Sequence, residues 1–115
     1  MTRAEEVAAM SNEALGEALA KHFGWIDLPP IQKFGWVRFP AHLCTTGDGM
    51  LAVIVELGKR DFCCIKLAAD YAYVYRATVV LDKEHEQEVW VERESAPRAV
   101  AEAALLALER TKESK

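Results

Sequence analysis

Small and apolar residues in the first 24 positions recur at steps of three and four, the spacing of one face of an α-helix. Thr2 and Glu5 have the spacing of a capping box, so the helix is predicted to begin there. Ser11 and Asn12 would also cap a second helix. The pattern therefore fits either one helix or a short turn followed by a helix, and Gly24 is predicted to end it.

The middle of the chain has a less regular pattern. Residues 25–45 are predicted to be irregular, because they contain a proline pair that suits neither a helix interior nor a central strand. Residues 46–58 are ambiguous. The β-branched run Val53–Val55 favours a strand, whereas candidate N-caps at 45–48 and Gly58 at the other end favour a helix.

The pattern then changes to that of strands. Phe62–Leu67 is short and apolar, Tyr71–Leu81 is rich in aromatic and β-branched residues, and Glu88–Arg93 alternates between valine and larger or charged residues. A charged turn over 82–86 separates the last two strands. Connections this short predict an antiparallel meander.

The last periodic segment predicts a helix that begins after Ser95, a good N-cap. One face is small and apolar, and is predicted to lie close to a sheet as an outer layer of the fold. Arg98, Glu102 and Glu109 form a polar stripe. Leu105 and Leu106 flank that stripe, so both are candidate interface residues, and 111–115 are predicted to fray.

The segment Ala96–Leu108, which follows a strand with a tryptophan, resembles the C-terminal signature of the phage ABA-sandwich domain, a family of small phage and prophage proteins. His22-Phe23-Gly24-Trp25 resembles that family's first helix end, and 45–57 resembles its capped central helix. The resemblance implies an α+β fold, a layered α/β/α sandwich. It implies an antiparallel three- to four-stranded sheet with N-terminal, central and C-terminal helices, and no catalytic residues.

Composition and charge narrow the possible functions. The 115 residues fit one domain, 1–115, with 51% hydrophobic and 28% charged residues. A net charge of −4 with scattered cations argues against nucleic acid. The sequence has neither an apolar run of roughly 18 residues nor a secretion signal. The odd number of cysteines suits a reducing compartment rather than a set of disulfides. These features together predict a cytoplasmic protein (in the host cell if phage-encoded) without membrane contact.

Cysteine and histidine give little support for a metal site. Cys63 and Cys64 are adjacent in a predicted strand, so their side chains point to opposite faces. His42 and Cys44, with His22 nearby, lack the paired spacing of structural zinc ligands. We expect no metal and no cofactor.

No catalytic motif is present in the sequence. The segment Gly47-Asp48-Gly49 is too short for a phosphate-binding loop, and its carboxylate would repel phosphate. We therefore expect a protein that is not an enzyme, while an enzyme of unknown chemistry stays an alternative.

Aromatic residues are the main candidates for binding. They are abundant for a small domain, and three tyrosines alternate along one predicted strand beside an arginine. The rings either pack in the core or form a ligand pocket or protein-binding patch. The candidate binding residues are Trp25, Trp36, Tyr71, Tyr73, Tyr75, Arg76 and Trp90.

The function predicted from these observations is that of a small non-enzymatic phage- or prophage-type accessory protein. It would bind a protein partner or itself, and a homodimer is one form of the latter. The alternative from another class is a small-ligand binder, such as an anti-defence protein that captures a nucleotide signal. That alternative would need a basic pocket, for which Arg38, Arg60, Lys66 and Arg76 are the available cations.

Overall fold

The computed structural model describes residues 2–24, 41–59, 64–71, 74–82 and 87–113 of the chain. In these ranges the chain forms five helices and three strands, in the order α1 (Arg3–Ala9), α2 (Asn12–His22), α3 (His42–Thr45), α4 (Gly47–Gly58), β1 (Cys64–Tyr71), β2 (Val74–Asp82), β3 (Gln87–Arg93) and α5 (Ala96–Glu113). The predicted α+β class is confirmed. None of these described helices is both long and apolar enough to cross a membrane.

The N-terminal segment forms two helices, because it contains two caps. The Thr2 hydroxyl oxygen accepts a hydrogen bond from the Glu5 amide at 3.2 Å, and the Ser11 hydroxyl oxygen accepts one from the Ala14 amide at 3.1 Å. Gly24, with φ of 77°, follows the end of α2. The interpretation as one helix is wrong, and the second helix capped by Ser11 forms, but a seven-residue helix rather than a short turn precedes it. The prediction that Gly24 ends the segment is confirmed.

The ambiguous segment 46–58 is a helix, so the strand favoured by its β-branched residues is wrong. The Thr46 hydroxyl oxygen accepts a hydrogen bond from the Gly49 amide at 2.9 Å and caps α4. Ala52, Val53 and Leu57 are fully buried on one side of the helix. Burial of this side outweighs the modest local preference for a strand.

The three described strands form one antiparallel sheet in the order β1-β2-β3. Ala77 pairs with Val91, and Thr78 pairs with Trp90. Tyr71 lies in β1 and pairs with Val74. A single strand from Tyr71 to Leu81 is therefore a wrong prediction, because the chain reverses direction between Tyr71 and Val74.

Helix α5 lies between the sheet and the other helices. One side of α5 packs against β2 and β3. The four preceding helices pack against α5, and they make far fewer contacts with the described strands. Every residue from Ala99 to Leu105 is buried. The predicted position of this helix as an outer layer is wrong, because both of its sides are covered. The predicted α/β/α layering is not confirmed, since in the described residues the order of layers is sheet, α5 and the other helices.

Two details of the α5 prediction change as a result. Glu102, a member of the predicted polar stripe, is buried and only 1% exposed. Leu105 is also 1% exposed, so the prediction that it is an interface residue is wrong. The small residues allow neighbouring elements to approach the helix closely. The helix extends to Glu113 and includes 111–113 of the segment predicted to fray.

Candidate functional site

The structure separates the candidate aromatic residues. Trp25, Trp36 and Tyr73 lie outside the described residues, and for Tyr71 only the strand position is described. Tyr75 is half-buried, whereas the Trp90 side chain is 54% exposed. Trp90 is therefore the predicted binding residue that the structure places most clearly at the surface.

Trp90 and Arg76 are brought together on the sheet face that points away from α5, which we call the outer face. The Arg76 guanidinium carbon lies 4.8 Å from the centre of the Trp90 ring, within the range of a cation–π interaction. Arg76 Nε also donates to Glu92 Oε1 at 2.9 Å. Tyr75 precedes Arg76 in the strand, so its side chain points to the opposite face, and among the described side chains Tyr75 does not join Arg76.

A cleft of about 450 Å³ lies beside Trp90, and we call it the edge cleft. It is bounded by α1, α5 and β3, and its lining residues are Thr2, Arg3, Ala4, Glu88, Val89, Trp90, Leu106, Glu109 and Arg110. Successive side chains of a strand point to opposite faces. A cleft lined by three successive residues of β3 therefore lies against the edge of that strand. In the described sheet β3 is an outer strand, with β2 as its neighbour on one side.

The opposite wall of the edge cleft is held by an ion pair between α1 and α5. Arg3 Nε lies 2.9 Å from both carboxylate oxygens of Glu109, and Arg3 Nη1 lies 3.1 Å from Glu6 Oε2. These bonds, chiefly that to Glu109, raise the pKa of the Arg3 guanidinium. Leu106 is half-buried between this wall and β3, so the predicted interface residue contributes an apolar surface to the cleft.

A second polar cluster lies on the other side of the sheet around the buried carboxylate of Glu102. Arg93 donates two hydrogen bonds to the Glu102 carboxylate, from Nε at 3.0 Å and Nη2 at 2.8 Å. Arg98 Nε donates a third at 2.7 Å. Paired donors match the geometry of a carboxylate, and this match compensates for its removal from water.

Arg98 extends this cluster to the N-terminal helices. Its Nη1 donates to Asn12 Oδ1 at 2.8 Å, and its Nη2 donates to the Val7 and Met10 carbonyl oxygens at 3.2 and 2.7 Å. The guanidinium thus binds carbonyl oxygens at and just beyond the end of α1, and that of Val7 also accepts the Met10 amide at 3.1 Å. Sequence analysis missed this role. The four-residue spacing of Arg98 and Glu102 indicates the ion pair, but not its burial.

The groups with potential for covalent or metal chemistry are not assembled into a site within the described ranges. Cys44 is buried, its thiol donates weakly to the Asn12 carbonyl oxygen at 3.5 Å, and burial raises its pKa to about 12. A protonated, enclosed thiol is a poor nucleophile. No group of three or more potential metal ligands occurs in the part of the chain that the structure describes. Cys63 lies outside that part.

The cations considered for a nucleotide pocket are not brought together in the described residues. Arg38 and Arg60 lie outside them, and for Lys66 only the strand position is described. Arg76 contacts Glu92 and Trp90. The geometry of the described residues therefore supplies no argument for a nucleotide-binding pocket.

Comparison with known proteins does not assign this chain to a family. No family model, curated protein or solved structure matches this chain. The resemblance of its short motifs to the phage ABA-sandwich domain accordingly stays a prediction.

Proposed function

We propose that this chain is a protein-binding module that receives an extended segment of a partner along the edge of β3 that has no neighbouring strand among the described residues. The supporting observation is the edge cleft, where an exposed tryptophan, a half-buried leucine and an outer strand lie together. The proposal retains the predicted role of a non-enzymatic phage- or prophage-type accessory protein.

The edge cleft offers the contacts by which a sheet accepts an additional strand. The outer side of an edge strand presents backbone N–H and C=O groups that pair readily with another chain. Trp90 and Leu106 would supply side-chain contacts on the two sides of that backbone pairing. An exposed tryptophan next to a cleft is typical of residues that dominate binding energy.

The test is selection of a random peptide display library against the immobilised chain, followed by affinity measurements on the enriched sequences. We expect their affinity to fall by tenfold or more for Trp90→Ala, because removal of an anchoring aromatic residue costs about 2 kcal/mol. Leu51→Ala is the matched control, since Leu51 is 55% exposed on α4. It should leave the affinity unchanged.

Two results would contradict the proposal. One is that no sequence is enriched over a column without protein. The other is that the enriched peptides bind wild-type and Trp90→Ala chains equally while circular dichroism shows both to be folded.

A further inference from the structure

We infer that the segment bound at β3 carries lysine or arginine two positions before and two positions after an apolar residue. This inference rests on the proposed function and specifies the partner's chemistry. It follows from the arrangement of charge on β3.

The sequence of β3 is symmetric about its tryptophan. Residues 88–92 read EVWVE, so the outer face presents Trp90 with a carboxylate two positions to either side. Glu92 is bonded to Arg76, and Glu88 is exposed without an ion pair in the described part of the chain. An incoming strand therefore meets an apolar ring between two carboxylates, of which Glu92 also holds Arg76.

The same symmetry opposes a second copy of this chain as the occupant. If two β3 strands paired antiparallel about Trp90, Glu88 of each would face Glu92 of the other. Like charges directly opposite in neighbouring strands are destabilising. A strand with cations at these two positions instead forms an attractive pair with Glu88 and shares Glu92 with Arg76, so charge complementarity favours a basic foreign segment over self-pairing.

The intervening positions of the bound segment point the other way, towards α5. There they meet Val89 and Leu106, which favours aliphatic side chains. Because residues 88–92 are the same in both directions, the pattern cation–apolar–apolar–apolar–cation fits a parallel or an antiparallel strand. Partner direction is therefore not specified by charge.

The test uses three blocked heptapeptides, GKVLVKG, GQVLVQG and GEVLVEG, titrated into isotopically labelled protein at low salt and followed by amide chemical shifts. We expect shifts centred on 87–93, with the lysine peptide binding about tenfold or more tighter than the glutamate peptide. Glu88→Lys should reverse or abolish this preference. Glu13→Lys, on an exposed position of α2, should not.

The outcomes separate this inference from the proposed function. Equal binding of all three peptides at β3 would overturn the charge preference and leave the strand-binding edge in place. Absence of shifts at 87–93 with every peptide, or shifts confined to another surface, would overturn both. If the amide shifts at 87–93 change with protein concentration when no peptide is present, the occupant of the β3 edge is a second copy of this chain and not a foreign segment.

Discussion

At the scale of single residues, the buried carboxylate of Glu102 connects separate elements of the fold. It joins β3 to α5 through Arg93, and through Arg98 it is connected to the end of α1. Two arginines around one carboxylate leave the cluster with a net positive charge. Removal of the carboxylate would leave both guanidinium groups without their counter-charge.

We expect Glu102→Gln to lower the free energy of unfolding by about 3 kcal/mol, the lower end for a broken buried ion pair, because the Arg93 side chain is 38% exposed and can regain water. Urea denaturation measures this change. Glu88→Gln, an exposed carboxylate, should alter stability by no more than about 0.5 kcal/mol. Equal effects of the two substitutions would show that the cluster does not contribute as described.

Cys44 provides a prediction for alkaline pH. Its pKa is raised from 9.0 to about 12 in the folded chain by burial. The unfolded chain therefore loses this proton first as pH rises, and between pH 9 and 12 the free energy of unfolding should fall. In a background with Cys63 and Cys64 replaced by serine, Cys44→Ala should reduce the slope of stability against pH in that window. An unchanged slope would show that the raised pKa of Cys44 does not cause the loss of stability at alkaline pH.

The same residue should resist modification at neutral pH. In that background, we expect a disulfide-exchange reagent to modify Cys44 only as fast as the protein unfolds, since the thiol is both enclosed and protonated. The measurement is the reaction rate with and without urea. Rapid reaction in the absence of denaturant would show that the α2–α3 contact opens readily.

At the scale of elements, the junction of α3 and α4 depends on the absence of a side chain at Gly49. A Cβ atom there would lie 1.8 Å from the His42 carbonyl oxygen and 2.7 Å from Leu43 Cα. Both are backbone atoms, so one helix would have to move away from the other. No other residue type fits this position with the present geometry.

Gly49→Ala should therefore destabilise the protein by about 3 kcal/mol or more, as an overpacked site does. Gly47→Ala is the matched control, since a Cβ there meets nothing within 4 Å. It should stabilise α4 by about 0.5 kcal/mol through the lower entropy of the unfolded chain. Thermal unfolding of the two variants compares them directly, and similar melting temperatures would contradict the described contact.

Features determined by neighbouring residues in the sequence were predictable, and features determined by distant ones were not. The caps at Thr2 and Ser11 use bonds within one helical turn, so their spacing identifies them. The burial of Glu102 and Leu105 depends on helices far away in the sequence that cover the polar side of α5. Likewise, alternation predicted the direction of Trp90 relative to its neighbours, but not that β3 would be an outer strand.

At the scale of the whole molecule, the acidic residues proposed to oppose pairing of β3 with another copy give a prediction for self-association. Glu88→Lys would convert the two repulsive contacts of a two-fold β3 pair into two attractive ones. We expect self-association to strengthen by about tenfold or more, as measured by sedimentation velocity at low salt. Glu13→Lys makes the same change of net charge away from the edge. If both variants associate equally, general charge repulsion rather than strand pairing is responsible.

The central position of α5 also affects how the protein forms during translation. All the other described elements precede α5 in the chain, and each of the helices among them packs on it. While the ribosome is still producing the sheet, α1–α4 lack the surface against which they are buried in the finished fold. Folding on the ribosome should therefore occur late and in one step, after α5 has left the exit tunnel, and nascent chains halted before that point should be digested by protease.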